Sequence, residues 1–337
     1  MHRILFTLAL VLSLLSICHG FTAYCRTSYR GLEKFRQGRT IRMSAGFSRT
    51  SKKVRPALDP QAEKYLKDAN GMLQVAQARL FNDCIRSLHS SNPELYSKIE
   101  RHHEMMGKGS IDLTGHQKLV EVTWDTMAKY LPVLGNAADS SAAAKLEKRL
   151  KMIAKAVCGT ESRSAGARGP SILDVGCGDG ALFPCLLKAG ASSSGYLGID
   201  LSRLMVDAAR SAHPGGRFEQ GGFLDSQHSA PPAAYDAVLF NGSLQFFPDV
   251  SAALRRAALC LRPGGRVVLA HAHGAAFVAE ERRGSPATVV SNMPTLGELT
   301  GLAREVGARV VPPEQLGWRD PAGLDAFYLA ALELGPA

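Results

Sequence analysis

Acid is nearly missing from the start of this chain, cysteine is sparse throughout, and no apolar run reaches bilayer length. Each absence excludes something. Eleven of the 40 Lys and Arg residues but only one of the 30 Asp and Glu residues, Glu33, fall within residues 1–57. Beyond that point the charges balance, so the formal net charge of +10 belongs to the leader and no basic face for nucleic acid is expected. Of seven cysteines, Cys18 and Cys25 lie in the leader, and Cys84, Cys158, Cys177, Cys185 and Cys260 form no C-x-x-C pair. A zinc site and a disulfide framework are therefore not expected. The longest apolar stretch, from Ile4 to Ile17, is shorter than the ~20 residues of a membrane helix, so no span is expected in the mature chain. What remains, 45% apolar and 21% charged, is the composition of a globular protein.

The leader reads in two parts. Residues 1–20 carry Arg3, an apolar core and the small residues Cys18 and Gly20 at cleavage positions, the pattern of a removable signal peptide. Residues 21–57 are rich in Arg, Lys, Ser and Thr, which is transit-peptide composition. The pair resembles the bipartite plastid presequence of algae with complex plastids, and the expected location is the plastid stroma. The alternative is a secreted protein with a basic propeptide.

Residues 58–158 read as a helical extension or cap. Asp59-Pro60 and Asn92-Pro93 are helix starts with proline in the first turn, and Gly107 ends the second of these helices. Thr114 and Gln117 fit a capping box, behind which Val120, Trp124, Met127 and Leu131 share one helical face. His102-His103-Glu104 lacks a second ligand pair and reads as a solvated helix end. A Gly/Ser/Arg linker follows at 159–170.

From residue 171 to 337 strands and helices alternate, which predicts an α/β doubly wound sheet of the Rossmann-like kind with seven strands. The strands are expected at 171–175, 196–200, 217–220, 237–241, 266–271, 309–311 and 326–333. Between the first strand and its helix runs Asp174-Val-Gly176-Cys-Gly178-Asp-Gly180. Taken alone, this loosely fits a dinucleotide turn. Asp200 at the end of the second strand can accept the two hydroxyls of a ribose. A strand "YDAVLFN" and a helix, Pro-Gly-Gly turn and strand in "ALRRAALCLRPGGRVVLA" follow.

Together these residues resemble the class I methyltransferases that use S-adenosylmethionine, over about half of the chain. The resemblance implies that Asp174, Gly176, Gly178 and Gly180 form the cofactor turn, that Asp200 holds the ribose and that Leu201 lies beside the adenine. The family often carries an acid after the third strand where this chain has Gly222. Phe223 would then face the adenine, and Asp225 would reach its amino group. Such a cofactor has no phosphates, so the glycines would serve close backbone approach rather than anion binding.

Methyl transfer from a sulfonium is an in-line displacement and needs a base only where the acceptor loses a proton. Asn241 ends the fourth strand and would orient cofactor or acceptor; His271 and His273 end the fifth and are the candidate bases. Phe246 and Phe247 are candidates for an apolar acceptor pocket, and residues 274–294 for an acceptor lid. The expected function is methyl transfer to a small organic acceptor. A cofactor-binding but inactive partner subunit of the same fold is the alternative.

Overall fold

Every residue of the strand that opens the sheet is buried, the acid Asp174 included, and the fold is organised around it. The computed structural model describes residues 58–70, 72–134, 140–159, 169–225, 230–317 and 323–335. The leader at 1–57 and most of the 159–170 linker lie outside the described residues. The strands are β1 (Ile172–Val175), β2 (Tyr196–Asp200), β3 (Arg217–Gln220), β4 (Tyr235–Asn241), β5 (Leu261–His271), β6 (Ala308–Val310) and β7 (Tyr328–Leu334). They form one seven-stranded sheet in the order β3-β2-β1-β4-β5-β7-β6, with β7 antiparallel to both neighbours. This is the sheet that the class I methyltransferase resemblance implies. All four residues of β1 are buried, as a central parallel strand covered on both faces requires.

From β1 the chain winds outward through β2 and β3 on one side and returns to β4 and β5 on the other. The order reverses between β1 and β4, and a crevice opens there beyond the carboxyl ends of the strands. Val175 is in register with Ile199 on β2 and with Phe240 on β4, so the three strand tips end level beneath it.

Helices cover both faces. One face packs on α6 (Ser140–Cys158), α7 (Phe183–Lys188) and α8 (Arg203–Ala212) through residues such as Ile153, Leu186 and Val206. The other packs on α9 (Val250–Cys260), α10 (Gly274–Gly284) and α11 (Leu296–Glu305) through Leu254, Val278 and Leu299. A separate core joins α1 (Pro60–Asp68), α2 (Leu73–Ser91), α3 (Pro93–Gly107) and α4 (Leu113–Ala128), and Met205 of α8 enters it. The one-turn α5 (Leu131–Leu134) follows α4.

The two proline-led helix starts form as expected, capped by Asp59 and Asn92. Two expectations shift. Helix α6, expected in the cap, packs on the sheet, because Leu150, Ile153 and Val157 join the same core as β1. The face shared by Val120, Trp124, Met127 and Leu131 divides: Met127 and Leu131 enter the helical core, Val120 lines the crevice, and Trp124 packs against the core and lines the crevice as well. Among the described residues no helix is long and apolar enough to cross a membrane.

Candidate active site

The crevice encloses a cavity of about 290 Å³. Asp200 stands at its wall on the tip of β2, where its Oδ2 accepts the amide of Gly178 at 2.9 Å and its Oδ1 that of Ser202 at 2.8 Å. A carboxylate has roughly four lone-pair sites, so one on each oxygen stays available to a hydroxyl donor. Burial pushes Asp200 up to about 6, against the two amides that favour its charged form, and the Asp125 carboxylate adds to the rise.

The three glycines of the turn all have positive φ but do different jobs. A Cβ on Gly176 would lie 2.4 Å from that of Ser243, whose hydroxyl donates to the Val175 carbonyl at 2.5 Å. Gly176 thus lets the β4 loop close against β1. A Cβ on Gly180 would lie 2.8 Å from the His213 ring and 3.0 Å from Phe218, and Gly180 does not line the cavity. Gly178 alone has open space at its Cβ position, and it lines the cavity beside Asp200. Of the three glycines expected at the cofactor, Gly176 and Gly178 line the cavity and Gly180 does not.

Asp174 also lies away from the cavity lining. Alternation along β1 sends Leu173 and Val175 to one face and Asp174 to the other. There its Oδ2 accepts the Tyr196 hydroxyl at 3.0 Å, and burial pushes its carboxyl up to about 7 despite that bond. It is a structural acid behind the turn and does not line the cavity.

Opposite the sheet, α4 closes the crevice. Gln117 donates to Asp225 Oδ2 at 2.6 Å, and His116 Nε2 donates to the Thr288 carbonyl at 3.0 Å. The expected capping box is therefore absent: α4 begins at Leu113, one residue before Thr114, and Gln117 bridges to the β3 loop. Gly222 fits this bridge, because a Cβ there would meet Gln117 Nε2 at 2.3 Å and Asp225 Oδ2 at 2.4 Å. Asp225 lines the cavity but is already engaged by Gln117, which qualifies its expected role at an adenine amino group. His102, expected at a solvated helix end, is fully buried, and its Nε2 bonds the Ala287 carbonyl at 2.7 Å. With His116 it ties the helical layer to the segment after α10.

The remaining expected residues, Leu201, Phe223, Asn241, His271 and His273, all line the cavity. Phe223 packs edge-on against Phe240 at 5.5 Å between centroids, and Trp124 against Phe246 at 5.8 Å. Phe246 and Phe247 therefore belong to an aromatic wall. His271 is a weak candidate base: burial, helped by neighbouring His273, pushes it down to about 3, and its Nδ1 already accepts the His273 amide at 3.3 Å.

The expected lid, residues 274–294, folds as α10 and a following segment, and contributes Phe277 and Glu281 to the cavity. Phe277 and Glu281 were expected only as part of that lid and Gln117 only as a cap, and His116 and Gln245 did not stand out in the sequence. One signal was present: Gly115 inside a helix marks close approach, since a Cβ there would lie 2.1 Å from the Lys98 carbonyl oxygen.

Residues 173–267 match a family model described as a methyltransferase domain. A ubiquinone biosynthesis O-methyltransferase of Escherichia coli O7:K1 is 28% identical to it over 177 residues, 52% of this chain and 70% of that protein. A protein of the same description from Aeromonas salmonicida is 36% identical over 114 residues, 32% of this chain and 45% of that one. Among solved structures, magnesium protoporphyrin IX methyltransferase of Synechocystis PCC 6803 with bound SAH is 15% identical, covers 65% of this chain and 100% of its own, and has a TM-score of 0.47. The cavity fits S-adenosylmethionine, the cofactor that the resemblance implies. Asp200 offers two hydroxyl-accepting oxygens, Gly178 leaves backbone open to close approach, and the walls are chiefly apolar.

Proposed function

We propose that this protein transfers a methyl group from S-adenosylmethionine to oxygen on a small, largely apolar organic acceptor, and that it does so in a plastid. One observation carries the reading: Asp200 and an aromatic wall of Trp124, Phe246, Phe247 and Phe277 border a single cavity. Asp200 would hold the ribose and Gly178 would admit the cofactor's backbone contacts. Leu201 and Phe223 would flank the adenine, and Asn241 would orient the reacting end. The aromatic wall and α4 would exclude water and hold the acceptor in line, which supplies much of the acceleration of such a displacement. Oxygen as the receiving atom is favoured by the description of the Escherichia coli relative as an O-methyltransferase. The plastid is favoured by the basic leader, with 11 Lys or Arg against one acid.

Calorimetry against S-adenosylmethionine, S-adenosylhomocysteine and NAD tests the cofactor. The two sulfur compounds should bind and NAD should not, and Asp200→Ala should weaken binding by ~1–3 kcal/mol through loss of charge-assisted hydrogen bonds. Unchanged affinity in that variant removes the ribose assignment. Incubation with methyl-labelled cofactor and a plastid extract should place label in a small, organic-soluble product. Binding without any labelled product would favour the inactive partner subunit.

A further inference from the structure

Two buried oxygens at the cavity wall have no hydrogen-bond partner among the described residues: Gln245 Oε1 and Glu281 Oε2. Both side chains are more than nine-tenths buried, at 2% and 4% exposure. A buried acceptor without a donor is costly, on the order of 1–3 kcal/mol, so once Glu281 is ionised the two neighbouring oxygens call for a ligand that donates. The rest of Gln245 is fixed. Its Nε2 donates to the Gly242 carbonyl at 3.2 Å, and its own carbonyl accepts the amides of Val290 and Ser291 at 3.1 Å. Glu281 is held on α10, one turn beyond Phe277 of the aromatic wall.

We propose that Glu281 takes the proton of the acceptor's hydroxyl during methyl transfer, while Gln245 holds that hydroxyl in place. The proposal rests on the methyl-transfer reading above. In the step the acceptor's O–H bond breaks and its electron pair forms the new O–CH3 bond. The S–CH3 bond breaks with its pair returning to sulfur, and the proton passes to the Glu281 carboxylate and then to water.

The neighbouring titratable groups do not compete. His271 is held near 3 with its Nδ1 occupied, and His116 is pushed down to about 4 by burial and bonded to Thr288. His273 packs on Phe277 at 5.1 Å, and Glu280, Arg282 and Arg283 of the same helix are exposed. Burial, opposed by the Gln245 amide, pushes Glu281 up to about 8. That suits proton transfer from a phenol, whose ordinary value is ~10, better than a carboxylate near 4 would.

The test uses 4-tert-butylcatechol, which is neutral at pH 7, and 4-nitrocatechol, which ionises readily, with wild type and Glu281→Gln. For wild type, kcat/KM toward the neutral catechol should rise about tenfold per pH unit and level off near pH 8. Glu281→Gln should lose that rise and fall by ~100-fold or more, yet keep activity toward ionised nitrocatechol within a few-fold, since no proton then needs removing. Infrared spectra of the cofactor-free wild type should show a protonated carboxyl band that titrates near pH 8 and is missing from the variant. A variant that keeps the pH rise, or that loses both catechols equally, overturns the proposal. So does a wild-type carboxyl band that titrates only in the ordinary carboxylate range, a result that needs no variant to fold. If the wild type binds S-adenosylhomocysteine but methylates neither catechol, the role of Glu281 falls and methyl transfer stands; if it binds no S-adenosylhomocysteine, the reading of the site itself falls.

Discussion

Gly176 and Gly178 stand two residues apart in one turn, and a methyl group added at each would do different damage. Alanine at either position must hold a positive φ, near 72° at 176 and 54° at 178, for about 1–2 kcal/mol. At 176 the new carbon also strikes Ser243, so Gly176→Ala should cost about 2–4 kcal/mol in a denaturant titration. Gly178→Ala meets no protein atom within 4 Å but lines the cavity; it should spare most of the stability and weaken cofactor binding by ~10-fold or more. Equal stability losses in the two variants would refute this division of labour. The spacing of the glycines was visible in the sequence. Their separate duties were not, because each is set by a residue distant in the chain: Ser243, Asp200, or the His213 and Phe218 rings.

Helix α4 is the element that turns an open crevice into a closed chamber. It supplies Gln117 to Asp225, His116 to Thr288 and Trp124 to the aromatic wall. It also supplies Asp125, whose Oδ1 accepts the Ser202 hydroxyl at 2.6 Å and the Leu204 amide at 3.2 Å. Ser202 in turn accepts the Met205 amide, so two free amides at the start of α8 are capped jointly by two elements. Asp125→Ala should therefore cost about 1–2 kcal/mol in equilibrium unfolding and loosen the start of α8 in hydrogen exchange. Full protection there in the variant would show that Ser202 suffices. Helical periodicity located this helix. Its capping residues were misread because a local rule cannot foresee that Gln117 meets a carboxylate 108 residues away.

Across the whole molecule, buried ionisable groups set the pH range of stability. Asp200, Asp174 and Glu281 are pushed up to about 6, 7 and 8 by burial. A raised carboxyl contributes stability that is full below its unfolded value of ~4 and is lost as pH rises through the folded value. Burial pushes His103, His116 and His213 down to about 4 and His271 to about 3. A lowered histidine contributes stability present above ~6.5 and lost as pH falls towards its folded value. Below ~6.5 the four histidines outweigh the three carboxyls, and above it chiefly Asp174 and Glu281 still titrate. The Tm of the cofactor-free protein should peak near pH ~6.5 and decline towards pH ~8, with Glu281→Gln removing the upper part of the decline. A Tm that rises steadily from pH ~6.5 to ~8 would mean these carboxyls are ionised throughout.

The order of strands and helices, the glycine turn and the carboxylate at the tip of β2 were fixed by local pattern: runs of apolar residues, spaced glycines and one acid at a strand end. These depend on neighbours within a few residues, so one dimension carries them. Tertiary structure alone decided that Asp174 faces Tyr196 instead of the cavity, that α6 joins the sheet, and that Glu281 and Gln245 meet with oxygens to spare. Burial and long-range hydrogen bonds bring those groups together, and neither leaves a local period in the chain.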